Sequence, residues 1–194
     1  MADEQRAIEC RAMAALEIER RDLGEDESYM VSGYATTFDH PYELWQGVFE
    51  QVDRHAIDGE TDVSDVIMLY DHSGKVVART SNSTLKLKCD EHGLFVEADL
   101  SKSMEARSLY EEIDNGLVTQ MSFSFTVDCV EWDERWELRT IKHISKIYDV
   151  SAVGIPANSA TEIHARSASV IEAERRGAAN SSKAKAMARL RLVG

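Results

Sequence analysis

Cysteine is scarce and unpaired in this chain. Cys10, Cys89 and Cys129 are three in number, widely spaced, and make no Cys-x-x-Cys pair, which removes a disulfide framework, a chelating knuckle and dithiol redox chemistry. Long apolar runs are also missing: nothing approaches the roughly 18 residues of a membrane span. The opening Met-Ala-Asp-Glu-Gln-Arg is charged, unlike a secretory signal. An intracellular, soluble protein is expected, with its cysteines acting as small buried hydrophobes. Five histidines, His40, His55, His92, His143 and His164, are scattered singly without His-x-x-x-His spacing, so a zinc hydrolase is not supported. There is no Gly-x-Ser-x-Gly elbow, no glycine-rich phosphate loop and no internal repeat. No metal and no cofactor is expected.

Positive charge is in deficit, 22 Lys and Arg against 35 Asp and Glu. Such a body repels nucleic acid and anionic membranes, which points to a protein partner. The sign is uneven along the chain. From Arg166 to Gly194 seven basic residues face two acidic ones, so a basic end follows a body of net charge about −18. That end is rich in Ala, Ser, Lys and Arg and can bury little, which predicts a frayed helix or disorder. At 194 residues and 43% apolar the chain is long enough for one well-buried domain with such a tail.

What is present is mostly strand. In Gln120-Met121-Ser122-Phe123-Ser124-Phe125, apolar residues at 121, 123 and 125 alternate with polar ones, the period of a half-buried strand, so Ser122 and Ser124 stand together on the face away from the core. Tyr29–Phe38 reads as a strand with Gly33 marking a bulge or close approach. Lys75–Arg79, Thr84–Cys89, Leu94–Leu100, Trp136–His143 and Lys146–Gly154 follow as strands, and Asp90-Glu91-His92-Gly93 as a hairpin connection whose glycine takes a positive φ. A helix is predicted over Met104–Asn115, capped by Ser101 or Ser103 and stopped at Asn115-Gly116. Ile8–Arg21 favours helix by propensity, and the spacing of Trp45, Val48, Phe49 and Val52 suits a helical turn within Glu43–Ile57. The expected class is α+β, dominated by sheet: an antiparallel β-barrel or sandwich with helices packed outside.

Three residue types in this pattern point to nucleophilic chemistry. Val66-Ile67-Met68-Leu69-Tyr70 is a buried run that delivers His72 to its end, beside a turn, where a general base is rigid yet open to substrate. Ser122 or Ser124, held on a strand, offers a hydroxyl nucleophile. Asp149 lies within the largely apolar Lys146–Val153 run and needs a partner there, a histidine or a basic residue of the sheet.

Beyond these patterns, the chain resembles the prohead, or capsid maturation, serine proteases of tailed bacteriophages, related in fold to the herpesvirus assembly proteases. The resemblance runs in order through Gly33-Tyr34-Ala35 with Phe38, Leu69-Tyr70-Asp71-His72, Glu91 to Ala98, Asn115-Gly116-Leu117 through Met121-Ser122-Phe123-Ser124-Phe125, and Asp149-Val150-Ser151-Ala152-Val153 with Pro156-Ala157-Asn158. It implies a serine endopeptidase with His72 as base, Ser122 as nucleophile and Asp149 as third member. The family usually carries Gly at the position of Ser124 and commonly Glu at that of Asp149. The implied organisation is a protease domain over 1–165 and a basic, flexible tail over 166–194. The implied substrates are the scaffolding segment of the major capsid protein and the protease itself. A homo-oligomer is compatible with it, and the setting would be the host bacterial cytoplasm, inside the assembling prohead. The competing class is a non-enzymatic capsid-assembly or scaffolding module with the same fold.

Overall fold

The computed structural model describes residues 8–12, 19–20, 29–45 and 47–154, and in the C-terminal region 175–177, 179–180 and 183. The predicted tail therefore lies largely outside the described residues. In chain order the elements are β1 (Glu9–Ala12), β2 (Glu19–Arg20), β3 (Met30–Thr37), β4 (Tyr42–Trp45), β5 (Val48–Val52), β6 (Ile67–Tyr70), β7 (Ser73–Arg79), β8 (Leu85–Cys89), β9 (Gly93–Asp99), α1 (Met104–Asp114), β10 (Gln120–Trp132) and β11 (Leu138–Val153).

Two sheets form. The larger runs β1-β10-β11-β5-β4, with β6 also on β11 and β7 on β6; the smaller runs β2-β3-β9-β8. The 16-residue β11 is the spine of the larger sheet. One edge pairs antiparallel with β10, while the other takes β5 and then β6, both parallel. Neither sheet closes on itself among the described residues, which corrects the expected antiparallel barrel. The physical reason is on β11: its far edge is shared by two parallel strands delivered by crossovers, so the edge is filled without closure.

The core is one cluster that joins Met121, Phe123 and Phe125 of β10 and Ile147 and Val150 of β11 to Val31 and Ala35 of β3 and Leu94 and Val96 of β9. Phe123 and Phe125 stack with ring centroids 4.3 Å apart. The pairing places Ser124 opposite Asp149 and Phe125 opposite Ile147, so Tyr148 is an extra residue on β11. Without that bulge the alternation would turn Ile147 away from the core; with it, Asp149 keeps the serine face and Ile147 the core face.

Several expectations change with the structure. Glu43–Ile57 holds the hairpin β4–β5, not a helical turn, because the residue that completes the buried face is Glu50, fully buried and ion-paired. The described parts of Ile8–Arg21 are the strands β1 and β2, since β1 buries the charged Glu9 and Arg11. The two strands expected over Trp136–His143 and Lys146–Gly154 are one continuous strand, β11, which begins at Leu138 and ends at Val153. The helix stands as α1, capped by the Ser103 hydroxyl, which accepts from Ala106 N at 3.1 Å, and ended by Gly116 at φ +71°. In the β8–β9 connection Gly93 is required by space: a Cβ there would lie 2.0 Å from the Thr36 carbonyl oxygen.

A buried cluster of four charges fastens β1 to the sheet. Arg11 Nε donates to Glu50 Oε1 at 2.5 Å and its Nη2 to Glu9, while Arg139 donates to Glu9 Oε1 at 3.0 Å and to Glu50. Tyr42 adds a hydroxyl bond to Glu50 Oε1 at 2.5 Å. Burial pushes the Glu50 carboxyl upward, but Arg11 and Arg139 outweigh it and hold it at about 2.

Candidate active site

The apolar residues of β6 bury Met68 and Leu69 beside β11 and bring the chain to a two-residue turn before β7. Both turn residues, Asp71 (φ +47°) and His72 (φ +54°), are left-handed, the requirement of a type I′ hairpin whose second position usually carries glycine. A histidine there carries roughly 1–2 kcal/mol of backbone cost, the kind of local strain that concentrates at functional positions.

From that turn His72 reaches two strands at once. Its Nδ1 lies 2.6 Å from Asp149 Oδ1 and its Nε2 lies 2.5 Å from Ser122 Oγ. All three residues singled out in the sequence are thus brought together. The two serines are separated by their partners: Ser122 meets the imidazole, whereas Ser124 Oγ donates to Asp149 Oδ2. Ser151, two residues along β11 from Asp149 and therefore on the same face, donates to Oδ1 at 2.7 Å. Its period-two relation to Asp149 is the signal that could have found it in the sequence.

Asp149 is buried, which alone would raise its carboxyl, yet it lies below its ordinary value because His72, Ser124 and Ser151 all favour the anion. Such a carboxylate keeps Nδ1 protonated and leaves Nε2 to exchange a proton with the serine. Ser122 is only 1% exposed, and its hydroxyl also contacts the Arg11 carbonyl oxygen of β1 at 2.6 Å. The hydroxyl has one hydrogen for two acceptors. With that hydrogen on Arg11 O, Nε2 must carry a proton and donate to Oγ; with it turned to Nε2, the imidazole is in its base form.

Cys10 lies directly opposite Ser124 across the β1–β10 pair. Burial, followed by the negative charge of Asp149, pushes its thiol up to about 11, so at neutral pH it is no competing thiolate. On the other side of the His72 turn a cleft of about 360 Å³ opens between the β6–β7 hairpin and α1, walled by Tyr70, Ser73, Gly74, Lys75, Glu105 and Leu109, among others. Among the described residues no three His, Cys, Asp or Glu side chains gather as metal ligands, and no helix is long and apolar enough to cross a membrane.

Residues 14–176 match the family described as caudovirus prohead serine protease. The chain belongs to that family. Over 92 residues this family member is 29% identical to the prohead protease of Escherichia phage T5, a stretch that covers 47% of the present chain and 41% of the phage T5 protein. No solved structure matches the chain.

Proposed function

We propose that the chain is a serine endopeptidase of capsid maturation in which Ser122 is the nucleophile, His72 the general base and Asp149 the carboxylate that orients the imidazole. The observation that carries the reading is the continuous chain of contacts from Asp149 through both nitrogens of His72 to Ser122 Oγ. Ser122 Oγ attacks a peptide carbonyl carbon while its proton passes to Nε2. The tetrahedral intermediate collapses, the C–N bond breaks, and Nε2–H gives its proton to the leaving amine. Water then attacks the ester, returning a proton through Nε2 to Ser122. The imidazolium formed in each half is stabilised by the ionised Asp149.

Family membership supports the scaffolding segment of the major capsid protein as substrate, and the protease's own ends as a second one, in a prohead assembling within the host bacterial cytoplasm. The division into a protease domain over 1–165 and a basic tail over 166–194 belongs to the same proposal. So does kinship of fold with herpesvirus assembly proteases, which superposition of a crystal structure of this chain would test. Replacing Ser122 by Ala is expected to lower cleavage of capsid protein on the order of a millionfold without unfolding the domain. Unchanged processing by that variant would overturn the assignment.

One observation favours the second reading, an assembly module without chemistry: Ser122 is 1% exposed. Reaction with a serine-directed phosphonate, followed by mass mapping, separates the two. Label on Ser122 supports the protease, and a folded protein that takes no label supports the module.

A further inference from the structure

We propose that Ser124 is a positioning residue for the reaction: its hydroxyl pins the outer oxygen of Asp149, so that a side chain as short as aspartate presents its inner oxygen to His72. This inference rests on the roles given above to His72, Ser122 and Asp149.

The rotation of a carboxylate about its last bond is broad and roughly two-fold, so the positions of its oxygens are set by the donors around it. Here the donors are divided. Oδ1 faces His72 Nδ1 at 2.6 Å and the Ser151 hydroxyl at 2.7 Å, while Oδ2 is bonded by Ser124 Oγ. Removing the Ser124 hydroxyl leaves Oδ2 without that donor in a buried place and frees the carboxylate to turn. Ser124 cannot easily swing away: it is 3% exposed, and Cys10 stands directly across from it on β1. The Ser124 hydroxymethyl is therefore a wedge between Cys10 and Asp149.

The wedge also sets the length of the acid. Ser124 and Asp149 are directly paired across β10 and β11, and the carboxylate already touches both Ser124 and His72. One more methylene would extend the side chain by about 1.5 Å, driving it into Ser124 Oγ or past Nδ1. A glutamate at 149 needs the space that the Ser124 side chain occupies, so the identities of these two residues are coupled.

The test measures kcat, KM and the pH dependence of kcat/KM for full-length wild type, S124A, D149E and S124G/D149E on a peptide substrate, alongside phosphonate labelling of Ser122. S124A is expected to lower kcat about 10- to 100-fold with KM nearly unchanged. It should also shift the acid limb of kcat/KM, because the carboxylate that faces Nδ1 has lost a donor and its fixed orientation. D149E is expected to be impaired, and S124G/D149E to recover activity relative to D149E. Wild-type kcat and pH profile in S124A, or equal activity of D149E and S124G/D149E, overturns the inference. Should S124A fail to fold, the comparison of D149E with S124G/D149E decides. If Ser122 takes label and S122A is inactive while these variants behave independently, only the role of Ser124 falls; if Ser122 takes no label, the reading beneath it falls as well.

Discussion

His72 carries its imidazole on a backbone with φ +54° at the tip of the β6–β7 hairpin, and that placement was only half visible in the sequence. The apolar run into a turn located the residue. The left-handed conformation could not be read, because Asp71-His72 is not one of the asparagine or glycine pairs that announce such a turn. Ser122 and Ser124 were equivalent by alternation, and it is the register with β11 that gives one the imidazole and the other the carboxylate. Gly93 shows the converse case, a correct residue with a different reason. A methyl group there would meet the Thr36 carbonyl at 2.0 Å, backbone against backbone. Gly93→Ala is therefore expected to cost about 3 kcal/mol or more, read as a lowered midpoint in urea unfolding.

At the scale of elements, alternation and turn chemistry served where strands bury apolar residues, as in β3, β9 and β10, and failed where they bury charge. β1 turns Glu9 and Arg11 inward and β5 turns Glu50 inward, so neither displays the apolar pattern that marks a strand. Their stability depends on mutual pairing. Arg11→Met would leave two buried carboxylates, Glu9 and Glu50, to share the single cation of Arg139, with only the Tyr42 hydroxyl besides on Glu50, and a loss of about 3–5 kcal/mol is expected in chemical denaturation. The cluster also has a pH signature. Glu50 is held at about 2, below the ordinary glutamate value of about 4.3. Its contribution is thus complete above that ordinary value and is lost as the pH falls toward about 2.

For the whole molecule, the sheet-rich class and the order of the motifs were legible, whereas barrel closure was not. Closure depends on which strands share the far edge of β11, and that long-range pairing leaves no local trace. The charge balance predicts how the folded body responds to pH. Asp53, Asp58, Asp62, Asp65, Asp90, Asp99, Asp133 and Asp149 all lie below their ordinary values, each through hydrogen bonds or basic neighbours that outweigh any burial. His143 lies above its ordinary value, chiefly through its bond to Asp128, with burial opposing. The depressed carboxyls stabilise fully above about pH 4 and lose that effect as the pH falls. His143 stabilises below about pH 6.5 and loses its effect as the pH rises through its raised value. Urea unfolding followed across this range should therefore show greatest stability between these limits, and a maximum outside them would contradict the assignment.

The ladder formed by β10, β11 and β6 holds Ser122, Asp149 and the hairpin of His72 in one hydrogen-bonded fabric. Parts woven into the same cloth do not need to be gathered before use. For the proposed triad the exposure is uneven: the imidazole is 19% exposed and Ser122 only 1%, so substrate meets the histidine first and the serine last.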